Sequence, residues 1–221
     1  MPSPFSQHPN PPSSDLCFKA HKVLCEAYKV CDSFHSIFAV LRKSKSAGNS
    51  TDFEQDTLRA MLVFAGAGLD SSLKQLVQDT LKAVIDKDDG AQKNFTESVR
   101  RKLPDMERGR DLLAGVLTAR DPRSKLIDTV ISDLVADSLQ SFAQLSKAAA
   151  AFSIPSDKIG NSLKLKDAFD ARNQIIHEMD INFQANRKRR QRKQADMESH
   201  AKAVLHAASA FLEQVDEKIA P

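Results

Sequence analysis

Thr51-Asp52-Phe53-Glu54 reads as the start of a helix, with a threonine side chain to cap the first turn and a glutamate three residues on to reach back. Behind it, Leu58, Leu62, Leu69, Leu73, Leu76 and Leu81 carry an apolar pattern at helical spacing to about Ile85. In the middle of that run, Ala65-Gly66-Ala67-Gly68 predicts a kink or a flat surface where another helix packs closely. An intrachain crossing is the ordinary reading of such a surface, and a subunit interface is the alternative. A helix this long makes an all-α domain the natural expectation. Seven Gly, one Tyr and no Trp among 221 residues agree with it.

The same pattern extends in both directions. Toward the N-terminus, a helix is predicted from Ser14 to about Lys45, with Leu24, Cys31, Phe34, Phe38 and Leu41 as its stripe. A polar loop, 44–50, follows it. Residues 1–13 hold five of the nine prolines and read as a disordered tail, leaving 14–221 as one helical domain. Toward the C-terminus, a polar turn is expected over Asp86–Asn94. Short helices follow over about 95–103 and 105–119, broken at Pro104. Asp121-Pro122 opens a helix that continues to about Phe152. After Ile154-Pro155-Ser156, helix is expected from Leu163 to Asp180, with 181–185 as loop or continued helix. A last helix from about Arg190 to Ile219 packs Val204, Leu205, Ala208, Phe211, Leu212 and Val215. The expected fold is a single bundle of long antiparallel helices with a flexible arm, large enough to bury about 70% of its unfolded surface.

No apolar run is long enough to span a bilayer, and the N-terminus lacks the charged and apolar regions of a signal peptide, so a cytoplasmic protein without a membrane partner is expected. Cys17, Cys25 and Cys31 are an odd set without CxxC spacing and read as buried small residues in a reducing compartment. Cys17, His21 and Cys25 recur every four residues, but each step rises about 6 Å along a helix, too far for one ion to be held by all three. No metal and no cofactor is expected.

The charge is local. Of 32 bases, six fall in Arg187-Lys188-Arg189-Arg190-Gln191-Arg192-Lys193, and the rest of the chain sets 26 bases against 29 acids. Arg187, Lys188, Arg189, Arg190, Arg192 and Lys193 form either a phosphate-gripping strip or a solvated connector. No aromatic residues interleave to stack bases. Arg100, Arg101 and Lys102 form a smaller cluster that reads as surface.

Just before the strip lies Ala171-Arg172-Asn173-Gln174-Ile175-Ile176-His177-Glu178-Met179-Asp180. Leu165, Phe169, Arg172, Ile176, Met179 and Phe183 share one helical stripe, which sets Arg172 within an apolar face. His177 is rotated about 140° from Arg172. Bringing the two together takes a long reach by Arg172, a bend, or a second subunit. Asn173 and Asp180 stand within reach of the imidazole, and Asp133 and Asp137 are candidate partners for Arg172.

Arg, a polar residue, an aliphatic pair and then His resembles the signature of the HEPN superfamily, and Leu69-Asp70-Ser71-Ser72-Leu73-Lys74-Gln75-Leu76 looks, more loosely, like its RiboL-PSP branch. The resemblance implies an all-helical, metal-independent endoribonuclease acting as a homodimer on RNA, commonly a toxin or defence effector. An antitoxin or regulatory protein would be a further partner. It assigns His177 as general acid or base, Arg172 as the group stabilising the phosphorane, and Asn173 as an orienting or phosphate-touching residue. These residue types suit the chemistry. RNA supplies its own 2′-hydroxyl nucleophile, histidine titrates near neutrality, and arginine offers a permanently charged fork to phosphate. A non-catalytic RNA- or nucleotide-binding module and a helical interaction protein are the alternative readings.

Overall fold

The computed structural model describes residues 3–43, 50–102, 106–185 and 187–220. Among these, all regular structure is helical, apart from one isolated antiparallel bridge between Ile181 and Arg189. The expected loop over 44–50 and the break at Pro104 lie almost wholly outside the described residues.

The long central helix forms because its start is fixed on both sides. The Thr51 N–H donates to Glu54 Oε2 at 2.6 Å and the Glu54 N–H to Thr51 Oγ1 at 3.3 Å. Among the described residues we number eight α-helices in chain order: α1 (Phe18–Lys43), α2 (Asp52–Lys87), α3 (Asp89–Lys102), α4 (Met106–Leu117), α5 (Pro122–Ala136), α6 (Phe142–Ala151), α7 (Ser162–Glu178) and α8 (Gln194–Ile219). Helix α2 is buried around most of its circumference, with Leu58, Met61, Leu69, Leu76 and Val77 all inaccessible. Such a helix is the axis of a bundle, not an amphipathic cover. Helices α1 and α8 pack along it, α7 lies against α2 and α8, and α3 and α5 cover its C-terminal half.

At Gly68, α1 and α2 approach closely. A Cβ built there would stand 2.2 Å from Ala27 Cβ, so the crossing requires glycine. The small-residue run is a close intrachain surface, and α2 remains helical through it.

Three expectations about the elements are corrected. The first concerns the N-terminal residues: in place of a disordered tail, residues 3–13 lie on the bundle. Phe5 is fully buried with its ring edge-on to His35, and the Ser13 and Ser14 N–H groups donate to Asp216 of α8 at 2.7 and 2.8 Å. One large aromatic anchor offsets a proline-rich composition that has little else to bury. Next, the polar turn over Asp86–Asn94 is a single joint residue. The Asp88 carboxylate accepts from the Ala91 N–H at 2.7 Å and starts α3 at once. Lastly, the helix expected from Pro122 to Phe152 is two. The Leu139 N–H donates to Asp70 Oδ1 at 2.6 Å and Ser141 caps α6. A hydrogen bond from the distant α2 thus ends α5.

Among the described residues, no helix is long and apolar enough to cross a membrane.

Candidate functional site

Helix α7 starts at Asn161, whose side chain accepts from the Lys164 N–H at 3.0 Å, and runs without interruption through Arg172 and His177. It ends when Met179 and Asp180 both enter the left-handed region, at φ 52° and 60°. Two consecutive non-glycine residues there are costly and persist only where surrounding contacts hold them. The contacts are present. The Asp180 N–H donates to Gln174 O at 2.9 Å, and the Asp180 carbonyl accepts from the Arg190 N–H at 2.8 Å.

The Asp180 side chain, fully buried, takes Arg59 Nε on one oxygen at 2.8 Å and Arg192 Nε at 3.1 Å. Arg59, itself 3% exposed, also donates to Asp56 and to the Arg190 carbonyl, both at 2.9 Å. A buried carboxylate therefore ties α2 to both ends of the connector between α7 and α8. This corrects one expectation directly: Asp180 is not available to orient His177.

The basic strip divides along the same lines. Arg189 is held by Asp56, Arg190 lies 2.9 Å from Glu178, and Arg192 joins Asp180 and donates to Gln174 at 2.8 Å. These three are structural cations that stitch the irregular segments 181–185 and 187–193 to the bundle. Arg187, Lys188 and Lys193 are exposed to solvent.

Arg172 stands apart from that network. It is half-buried on α7 above Gly66 of α2, where a built Cβ would lie 3.8 Å from Arg172 Cγ and 3.2 Å from Gln140 Oε1. Its Nη1 donates to Asn173 Oδ1 at 3.0 Å, and its Nε is buried without a partner. Gln140 Oε1 is likewise buried and unpartnered. A donor and an acceptor thus go unsatisfied on either side of one glycine, which is uncommon in a structural interior. Burial lowers the Arg172 pKa, and the charge of nearby Asp70 opposes that shift. The anticipated acids are elsewhere: Asp133 pairs with Lys102, and Asp137 accepts from Gln144. With α5 ended early, neither one reaches Arg172. Asn173 is spent on Arg172 and does not hold the imidazole.

His177, in the last turn of α7, is exposed and makes no hydrogen bond or ion pair among the described residues. The apolar stripe it accompanies passes from core to surface. Leu165 and Phe169 are 1% and 3% exposed, whereas Ile176, Met179 and Phe183 are 37%, 66% and 61% exposed. Ile176 in the last turn of α7, and Met179 and Phe183 beyond its end, are left exposed among the described residues.

Sequence reading missed Arg59 and Gln140. Arg59 carried a usable signal, a cation set between Leu58 and Met61 on the long helix with the leucine-rich core pattern; Gln140 carried none. No family model matches this chain, and no curated protein or solved structure matches it either.

Proposed function

We propose that the chain is a HEPN-like, metal-independent endoribonuclease that works as a homodimer. The observation that carries this reading is Arg172: a half-buried guanidinium with an unpartnered Nε and no carboxylate at ion-pair distance among the described residues. A half-buried cation left in that state is suited to an anionic guest, and phosphate fits its planar fork. His177 lies on the same uninterrupted helix, open to solvent, as a general acid or base must be to meet substrate. Within one chain the two groups point apart, since α7 does not bend to join them and Arg172 is already turned onto Asn173. The uncovered Ile176, Met179 and Phe183 beside His177 favour a second copy as the element that completes the site. Asn173 holds the guanidinium, and Arg187, Lys188 and Lys193 attract the RNA backbone.

The test is direct. Total RNA incubated with the protein in EDTA should yield fragments with 2′,3′-cyclic phosphate and 5′-hydroxyl ends, and light scattering should give a dimer that Met179→Glu converts to monomer. RNA that is bound and left intact would replace this reading with that of a binding module.

A further inference from the structure

On the face of the bundle formed by α3, α5 and α6, away from Arg172, is a cleft of about 620 Å³. That size suits a small organic ligand. Its floor is apolar: Leu81, Phe95, Val130 and Leu134 are each less than a tenth exposed. Two braces hold the walls apart. Asn94 Nδ2 donates to the Ala150 carbonyl at 2.7 Å, joining α3 to α6, and Lys102 pairs with Asp133, joining α3 to α5. Eight residues separate Asn94 from Lys102, about 12 Å along α3, so the cleft is a slot braced near both ends.

Charge at the rim is unbalanced. Its two acids are taken, Asp133 by Lys102 and Glu97 by Arg100 at 2.8 Å. Arg101 and Lys147 enter from opposite walls, exposed and without an acidic partner among the described residues. Ser146 Oγ, buried in the α6 wall, has no hydrogen-bond partner. An apolar trough, two uncompensated cations at its mouth and an unpaired hydroxyl in its side together describe one kind of guest.

We infer that this cleft binds a small amphipathic anion, an aliphatic body lying along the floor with one carboxylate held between Arg101 and Lys147. Ser146 lies within the wall to hydrogen-bond a polar atom of the guest. The site is independent of the nuclease reading, because none of its residues belongs to α7 or to the connector.

Calorimetric titration of the full chain with octanoate tests it, with octyltrimethylammonium as the probe of opposite charge and 1-octanol as the neutral one. Octanoate should bind saturably at one site. The double variant Arg101→Gln/Lys147→Gln should weaken octanoate at least about tenfold while leaving 1-octanol unchanged. Both substitutions are at the surface, and an unchanged far-UV spectrum and melting temperature establish that the variant is folded. Absence of saturable octanoate binding, equal binding of octyltrimethylammonium, or undiminished octanoate binding in the folded double variant would each overturn the assignment.

Discussion

Arg59 Nε lies 2.8 Å from Asp180 Oδ2, with the arginine side chain 4% exposed and the aspartate not exposed at all. The pair joins the N-terminal part of the bundle axis to a backbone turn in the left-handed region, immediately before the connector. Removing one partner of a buried ion pair strands the other charge and costs about 3–5 kcal/mol. The loss for Asp180→Ala in urea unfolding should fall toward the lower end of that range, because it takes the buried carboxylate from both Arg59 and Arg192 while Arg59 keeps Asp56. A loss below about 1 kcal/mol would show that the pair is solvated in solution.

Gly68 and Ala27 set the distance between α1 and α2. Gly68→Ala should destabilise by about 1–3 kcal/mol through overpacking, and Ala27→Gly in the same chain should recover much of the loss. A double-mutant cycle on urea midpoints measures the coupling, and simple additivity would contradict the crossing.

Burial pushes the thiols of Cys17 and Cys31 up to about 12, with Asp216 adding to the effect at Cys17. Cys25 is only half-buried and shifted in the same direction. Thiolate is the reactive form. Ellman's reagent at pH 8 should therefore label no more than one thiol in the native protein, and all three only after unfolding.

Hydrogen bonding from Arg189, and then from Arg59, holds the Asp56 carboxyl below the ordinary aspartate value despite partial burial. A carboxylate depressed in the folded state contributes stability above the unfolded value of about 3.9 and loses it as pH falls through the folded value. Wild type should lose this contribution below about pH 4. Asp56→Asn should be less stable at pH 7 by about 0.5–1 kcal/mol, since the pair is half-exposed, and its stability should fall less steeply on acidification. Thermal melts from pH 7 to pH 3 give both curves.

The elements that were legible in sequence are those fixed by their own residues. The Thr51/Glu54 cap, the Asp121-Pro122 start and the Ile154-Pro155 stop are local chemistry, and each stands where that chemistry puts it. What was illegible depends on distant partners. Asp70 ends α5 from across the bundle, Phe5 holds down a proline-rich arm by finding the core, and Asp180 draws three elements together around one carboxylate. The candidate site follows the same division. The placement of Arg172 and His177 on one helix, facing apart, was readable from spacing, whereas the unpartnered state of Arg172 and Gln140 was not.

The central claim is that the Arg172 guanidinium and the His177 imidazole act on one RNA phosphate. Single-turnover cleavage of a fluorescent RNA in EDTA tests it most directly, comparing wild type with His177→Ala and Arg172→Ala. Loss of a general acid or base removes about a hundredfold or more in rate. The account predicts a fall of that size in both variants, with the melting temperature of His177→Ala unchanged because its side chain is exposed and makes no hydrogen bond or ion pair among the described residues. Cleavage by folded His177→Ala at the wild-type rate would contradict it.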